Sequence, residues 1–403
     1  MKKLFTLVIA LFVFAGVKAN DGAFYSKGNQ LVPITETTIK VQKEILTITR
    51  DLSGQGLHRF KVNVYYEFFN PGPDKDLLVG FEAVTDAMGE THPYIRDFKV
   101  VMNDVELPFE VSRIFYPLNK NNQIDFEIKD YYKDGHFVEP TKAMWKAMED
   151  ENSPYYYYED VSAVPYYFVY HFNAHFNQGL NIIQHTYDFN GSELVQEEYL
   201  FDYVLTAANR WANNGIDDFT LEINLGDRQS FSVSPTFFNN ASEWTFTGKG
   251  KVGERKDMVY VCEDCPMFHV QSGSIVFHKK NFHPEGELHV VRDGFFISNY
   301  INFAEQELSF YDSEGFVNSM KSQYYNLSFG FYEGGEVYTN SMLEEHIRIL
   351  KNIPFAYRGY VFKDKGLQRF FESTGWYIPD PNYKADMTIM SDDEKFWIQF
   401  WSK

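Results

Sequence analysis

Strict alternation of apolar and polar residues is the feature that most limits how this chain can fold. Residues 60–69 read FKVNVYYEFF, in which every second side chain is apolar or aromatic. Alternation with a period of two predicts a β-strand with one buried face. Asn70-Pro71-Gly72-Pro73 then provides a turn. Similar short runs between polar turns recur to residue 340. We therefore predict a mainly β chain whose body is antiparallel and β-sandwich-like.

Residues 341–403 follow a different pattern, which predicts a small α-helical domain. Ser341-Met342-Leu343-Glu344 and Ser391-Asp392-Asp393-Glu394 both read as capping boxes at helix starts. Asp364 can cap a further helix, and Pro354 predicts the end of the first one. This stretch has nine basic and nine acidic residues, so the preceding residues carry the whole net charge of −19.

Composition divides the chain into further parts. Residues 130–160 include KAMWKAMEDE and four consecutive tyrosines, which predict a helical, tyrosine-rich insertion between strands. The sequence GKGKVG at residues 248–253 predicts a joint. The expected parts are a signal peptide at 1–19, a β-sandwich-like domain at 20–247, a second β-rich region at 248–340 and a helical domain at 341–403.

The N-terminus predicts export from the cytoplasm. Lys2 and Lys3 precede an apolar stretch, and Val17-Lys18-Ala19 supplies small residues where a signal peptidase cleaves. No later run reaches the roughly 18 apolar residues that a spanning helix requires, so we expect no membrane span in the mature chain. The predicted location is periplasmic or secreted.

Charge and cysteine content exclude two classes of protein. A net charge of −19 repels phosphate backbones, so nucleic acid is not an expected partner. Only two cysteines occur, so the chain is not a disulfide-dense scaffold. The expected partner is an envelope or extracellular protein, or a glycan.

The C-terminal sequence resembles a known family. Residues 347–379, IRILKNIPFAYRGYVFKDKGLQRFFESTGWYIP, are similar to the YARHG domain, a small extracellular module of unknown molecular function. The residues that match its pattern are Ala356, Gly359, Phe362, Leu367, Phe371, Trp376 and Tyr377. Phe355, Tyr357 and Arg358 stand where the family usually has Tyr, Arg and His. The resemblance implies a helical interaction module and no reaction.

The β body resembles, more loosely, an uncharacterised family of exported β-domains. The matching segments are DGAFYSKG at residues 21–28 and YVLTAANRW at residues 203–211. This resemblance implies export and a β fold, and it likewise supplies no reaction.

Cys262-Glu263-Asp264-Cys265 is the most distinctive local motif. A disulfide bond across a tight turn in an oxidising compartment is the first interpretation. A redox site is a second one, although two intervening acids raise thiol pKa values. Zinc binding is a third, with Cys262, Cys265 and His269 as candidate ligands. We expect no other cofactor.

Two groups of aromatic and basic residues are candidate binding sites. Tyr155, Tyr156, Tyr157 and Tyr158 can stack on sugars or contact a peptide, or they can pack the insertion onto the body. Tyr357, Arg358 and Trp376 can form a recognition patch, or they can belong to the core of the small helical domain.

These observations predict an exported, non-enzymatic binding or interaction protein. An envelope-polymer hydrolase is the alternative, because carboxylates brought together by folding leave no motif. Glu197-Glu198 and Asp217-Asp218 are adjacent acids, and neighbours on a strand point to opposite faces. A zinc-dependent structural or catalytic role is the third possibility.

Overall fold

The structure is a computed structural model of the 403-residue chain. It describes residues 19–27, 30–33, 36–51, 59–84, 95–115, 130–131, 166–194, 197–253, 265–293, 321–322, 325–326, 344–374 and 376–402. Predictions that concern the signal peptide up to residue 18, most of the 130–160 insertion and Tyr155 to Tyr158 lie outside these residues.

Three β-sheets form the body, with strands numbered along the chain. Sheet 1 contains β1 (Ala19–Lys27), β2 (Gln30–Pro33), β5 (Lys75–Val84), β8 (Glu110–Phe115), β9 (Asp130–Tyr131) and β10 (Tyr166–Phe176). Sheet 2 contains β3 (Lys40–Asp51), β4 (Arg59–Asn70), β6 (Ile95–Met102), β7 (Val105–Glu106), β11 (Gly179–Asn190), β14 (Ile216–Asn224), β16 (Trp244–Phe246) and β19 (Ile275–Phe282). Sheet 3 contains β12 (Ser192–Leu194), β13 (Glu197–Tyr203), β15 (Gln229–Val233), β17 (Gly250–Gly253), β18 (Met267–Val270) and β20 (Leu288–Asp293). A separate hairpin joins β21 (Lys321–Ser322) and β22 (Tyr325–Asn326).

The strand order within the sheets places distant parts of the chain side by side. The orders are β2-β1-β5-β10-β8-β9, then β16-β19-β14-β3-β4-β11-β6-β7, then β12-β13-β20-β15-β18-β17. Among the described pairs, β3 with β14 is the parallel one and the rest are antiparallel. Strands from both sides of residue 248 pair in sheets 2 and 3, as β14 does with β19 and β15 with β18. The joint predicted at 248–253 therefore does not separate two cores.

One continuous apolar core connects the three sheets. Alternate residues of β4, from Phe60 to Phe68, are at most 2 % exposed, as the period-two pattern predicts. Phe81 of sheet 1 lies with its ring centroid 5.5 Å from that of Phe98 in sheet 2. The ring centroid of Trp244 in sheet 2 lies 5.4 Å from that of Phe268 in sheet 3. The predicted mainly β, sandwich-like body is confirmed.

Three α-helices form the C-terminal module, as predicted for residues 341–403. They are α1 (Glu344–Tyr357), α2 (Lys365–Ser373) and α3 (Asp392–Phe400). Asp364 caps α2 by accepting hydrogen bonds from the N–H groups of Gly366 and Leu367. None of the helices in the described part of the chain is long and apolar enough to cross a membrane.

The first of these helices corrects one prediction. Pro354 does not end α1, which continues to Tyr357. The helix ends instead at Gly359, whose φ of 82° suits glycine. The N–H of Gly359 donates to the Ala356 carbonyl and that of Tyr360 to the Phe355 carbonyl, which is a Schellman ending. Pro354 has no N–H to donate to the carbonyl four residues earlier, so α1 forms with one backbone hydrogen bond fewer near its end.

Candidate functional site

Aromatic stacking holds the centre of the module together. Tyr357 at the end of α1 stacks on Trp376, with ring centroids 4.2 Å apart and ring planes 12° apart. Trp376 is 5 % exposed. Phe371 of α2 stacks on Phe362 at 4.9 Å. These rings share one small core, which places Trp376 in the packing of the module.

Arg358 forms a buried ion pair between two helices. Its Nη1 lies 2.6 Å from Oε1 of Glu394, and its Nη2 lies 2.9 Å from Oε2. Oε2 of Glu394 also accepts a hydrogen bond from the Ser391 N–H, and Ser391 Oγ accepts one from the Glu394 N–H. This is the capping box predicted at Ser391. Arg358 thus connects the end of α1 with the start of α3, and a binding role for Tyr357, Arg358 and Trp376 stays a prediction.

An exposed apolar turn lies just before α3. Asp386 accepts hydrogen bonds from the N–H and the hydroxyl of Thr388, at 2.8 and 2.7 Å. Met387 and Ile389 are 40 % and 56 % exposed, whereas Met390 is buried. Because Asp386 and Met390 fix the two ends of this turn, it presents two large apolar side chains in an ordered conformation. We call residues 386–390 the apolar turn.

The module contacts the β body through the Gly/Lys-rich segment before and within β17. Lys249 Nζ lies 2.6 Å from Oδ2 of Asp380, and Lys251 Nζ donates to the Tyr377 carbonyl oxygen at 2.8 Å. The Lys249 ammonium lowers the pKa of the Asp380 carboxyl. We call these two contacts the lysine latch.

Close packing inside the module fixes the segment that the lysine latch holds. The Asp380 N–H donates to the Gly359 carbonyl at 2.7 Å. A Cβ atom at Gly359 would lie 2.6 Å from the Ile378 carbonyl oxygen. Glycine is therefore required at position 359, because its φ favours glycine and because any side chain would clash with the Ile378 carbonyl. This close packing holds residues 377–380 in a defined position against β17.

A polar surface occupies one side of sheet 3 beside the lysine latch. Ser230 of β15, His269 of β18 and Lys251 of β17 lie directly opposite one another in the strand register. Directly opposed residues point to the same side of a sheet. Alternate residues Phe231 and Phe268 point to the other side and join the core. We call the side that carries Ser230, Ser232, Lys249, Lys251, His269 and Gln271 the polar face.

Several buried atoms of the polar face lack hydrogen-bond partners. His269 and Ser232 are 3 % and 1 % exposed. Nδ1 of His269 lies 2.6 Å from the Ser230 hydroxyl, whereas no described residue provides a partner for His269 Nε2, Ser232 Oγ or Gln271 Oε1. A buried polar group without a partner costs about 1–3 kcal/mol.

Burial keeps the imidazole of His269 neutral. Desolvation, and secondly the ammonium of Lys251, lower the pKa of His269 to about 3. Burial also lowers the pKa of Lys251. The Ser230 hydroxyl can either donate to Nδ1 or accept from it, and in the tautomer in which it donates, the neutral imidazole presents its Nε2–H as a donor on the polar face.

The predicted cysteine and zinc motif is only partly described. Cys265 is buried and disulfide-bonded, but Cys262 lies outside the described residues, so the Cys262–Cys265 bond stays a prediction. A disulfide sulfur cannot act as a thiolate ligand. His278 of sheet 2 contacts Asp218, whereas His269 belongs to sheet 3. Across the residues that the structure describes, no group of three or more histidines, cysteines and acids could hold a metal.

The adjacent acids considered for hydrolysis contact different neighbouring residues. Asp217 lies 3.4 Å from Lys40, and Asp218 lies 2.5 Å from Lys280 and 2.8 Å from His278. Hydrogen bonds from Lys280 and His278 outweigh desolvation and lower the pKa of Asp218. Glu197 and Glu198 are in β13, and their side chains lie outside the described part.

Sequence reasoning missed both the polar face and the lysine latch. A signal was present in residues 230–234, where three serines alternate with Phe231 and Val233. That pattern places small hydroxyl side chains along one side of a strand. The GKGKVG segment by itself predicts a joint, and nothing in its pattern connects its lysines with the C-terminal domain.

Comparisons with known proteins concern the module and the overall fold separately. No curated protein matches this sequence. A solved structure of a "putative nutrient binding protein" from Legionella pneumophila is similar at a TM-score of 0.43 and 15 % identity, covering 95 % of this chain and 99 % of that one. An M1 zinc metallopeptidase from Deinococcus radiodurans is similar at a TM-score of 0.24 and 11 % identity, covering 64 % of this chain and 43 % of that one. Likenesses of this degree carry no argument about activity.

The family comparison agrees with the resemblance of the C-terminal sequence. The match covers residues 337–403 and is to the YARHG domain. It includes α1 to α3, the Arg358–Glu394 ion pair and the Gly359 turn described above. The C-terminal module of this chain is a YARHG domain.

Proposed function

We propose that this protein is an exported, non-enzymatic binding protein whose YARHG domain is the interaction unit. The observation that supports this most directly is the apolar turn. Exposed large apolar side chains grouped on one surface are typical of protein interaction sites, whereas isolated ones are ordinary. Met387 and Ile389 together provide such a surface, held in place by Asp386 and Met390. The partner that fits it is an envelope or extracellular protein, with a glycan as the alternative.

The adjacent acids Asp217 and Asp218 give less support to the hydrolase alternative. Asp217 and Asp218 are each occupied by neighbouring cations. A general acid needs a raised pKa, whereas the pKa of Asp218 is lowered.

Export completes the proposal, and its site of cleavage follows from the N-terminal sequence. Cleavage after Ala19 would leave Asn20 as the first residue, inside β1. Sequencing of the mature protein from the periplasm or the medium should therefore begin at Asn20. A chain that stays in the cytoplasm with residues 1–19 attached would overturn the export part of the proposal.

Sedimentation with isolated cell envelope tests the interaction. The full chain should co-sediment, and the double variant Met387→Ser/Ile389→Ser should do so at least about tenfold more weakly, since each large apolar side chain buried is worth about 1.5–3 kcal/mol. Both positions are exposed, so the melting temperature should stay the same. Substitution of exposed Val252, in β17, is the matched control and should leave binding intact.

Three results would contradict the proposal. One is a wild-type protein that does not co-sediment, and another is equal binding by the double variant. The third is shortening of the envelope polymer by the wild-type protein, which would favour the hydrolase.

A further inference from the structure

The polar face beside the lysine latch has chemistry that the apolar turn does not use. His269 Nε2 and Ser232 Oγ are buried donors or acceptors without partners in the described structure. Ser232 lies two residues along β15 from Ser230, which directly opposes His269. His269 and Ser232 are therefore diagonal neighbours on one side of the sheet, within reach of a single small molecule.

Lys251 adds a positive charge to this pair. It lies directly opposite His269 in the β17–β18 register, and its ammonium is close enough to influence the imidazole. Lys251 donates to the Tyr377 carbonyl. When the module moves away from β17, this contact is released and the ammonium can donate to other acceptors.

We propose that Lys251, His269 and Ser232 form a binding site for a small carboxylate, which the YARHG domain covers through residues 377–380. The ammonium, the Nε2–H of His269 and the Ser232 hydroxyl can all donate hydrogen bonds to oxygen. The module itself binds the two lysines through oxygen acceptors. Lys249 contacts the Asp380 carboxylate, and Lys251 donates to the Tyr377 carbonyl. Sites between two domains are common places for small ligands.

The Lys249–Asp380 ion pair controls how readily the ligand enters the site. His269 and Ser232 are buried. In this proposal residues 377–380, which contact Lys249 and Lys251, are the cover that moves away from β17 before a carboxylate can reach the site. Lys249 and Asp380 hold the cover closed without belonging to the site. Weakening that pair should increase the population of the open form and hence the apparent affinity.

Binding of succinate, with its uncharged diamide succinamide as the matched probe, tests the inference on the full chain. Titration calorimetry at neutral pH should show binding of succinate and none of succinamide. Ser232→Ala and Lys251→Met should each weaken succinate binding about tenfold or more, because each loses a hydrogen bond to a charged group. Asp380→Asn should bind succinate more tightly than the wild-type protein.

The control variants separate this site from general charge effects. Lys249→Met removes the same charge as Lys251→Met but should bind succinate at least as tightly as the wild type, because Lys249 holds the cover closed through Asp380 and does not donate to the ligand. Ser232→Ala changes one hydroxyl and keeps the test valid if Lys251→Met does not fold. The inference is overturned if Asp380→Asn binds no succinate, if succinamide binds equally well, or if Lys251→Met and Lys249→Met lose binding to the same extent. None of these outcomes affects the apolar turn, whose envelope binding is measured separately.

Discussion

Arg358 and Glu394 are 36 residues apart in the sequence and form a bidentate ion pair in the interior of the YARHG domain. Both side chains are at most 7 % exposed. The same Glu394 closes the capping box of α3. One carboxylate therefore fixes both the start of one helix and its position against another.

Removing the arginine from this pair should destabilise the module severely. Arg358→Met leaves Glu394 buried and without its cation, which should lower the free energy of unfolding by about 3–5 kcal/mol. Urea denaturation, monitored by the helical circular dichroism signal, measures this change. Arg348→Met is the matched control because Arg348 and Asp364 form an exposed pair, and it should cost less than about 1 kcal/mol. Equal costs for both variants would show that the Arg358 pair is not buried in solution.

Trp376 should be required for the stability of the module. Trp376→Ala removes a buried ring that stacks on Tyr357, and it should cost about 3–5 kcal/mol of unfolding free energy. Met387→Ala, at an exposed position, should cost almost nothing. Thermal unfolding of the two variants gives the comparison. A negligible cost at Trp376 would instead favour the recognition patch of Tyr357, Arg358 and Trp376.

Docking of the module should weaken at low pH. The pKa of Asp380 is lowered from 3.8 in the folded protein, so its contribution is complete above pH 3.8 and is lost as pH falls through the lower folded value. Energy transfer between labels at exposed Thr245 and Gln399 reports the distance between body and module. Asp380→Asn should show the weaker docking already at pH 7, and high salt should weaken the wild type. Docking that is indifferent to pH, salt and this substitution would refute the lysine latch.

His269 should make the stability of the body depend on pH. Its folded pKa of about 3 lies below the usual 6.5, so between these values the unfolded chain binds a proton that the folded chain does not. Stability should therefore fall as pH falls through this window, by about 2 kcal/mol between pH 7 and pH 5. Urea denaturation at pH 7 and pH 5 should show a smaller difference for His269→Gln than for wild type. His283→Gln, at an exposed position, should behave as wild type does.

The cysteines should be oxidised in the exported protein. A Cys262–Cys265 bond predicts no free thiol in protein from its native compartment. The loop is short, so reduction should cost less than the roughly 3 kcal/mol expected for a 15-residue loop. Thiol counting together with elemental analysis distinguishes the alternatives. Two free thiols with one equivalent of zinc would establish the metal site instead.

Local patterns in the sequence were sufficient for much of the fold. Alternation in residues 60–69 predicted β4 and its buried side, and Ser391 with Glu394 predicted the start of α3. These features depend on residues close in sequence. Pro354 was misleading because the loss of one backbone hydrogen bond is outweighed by packing, as buried Ile353 and Ala356 hold α1 in place on both sides of the proline.

Contacts between distant residues account for what the sequence did not reveal. The division at residue 248 did not anticipate that β15 would pair with β18 across it. Arg358 could equally have been a surface residue, because no local signal indicates Glu394 as its partner. The polar face exists only because β15, β18 and β17 are adjacent. Local patterns in a single sequence do not reveal which strands become neighbours.

The parallel pairing of β3 with β14 has a consequence for biosynthesis. Val41 of β3 pairs with Ile216 of β14, so the central strand of sheet 2 lacks one neighbour until more than half of the chain has been made. At about 5–20 residues per second, this delay is on the order of ten seconds. Contacts between such distant residues slow folding, and unpaired strand edges aggregate in the meantime. The open edge of β3 is therefore a place where an unfinished chain can pair with another one.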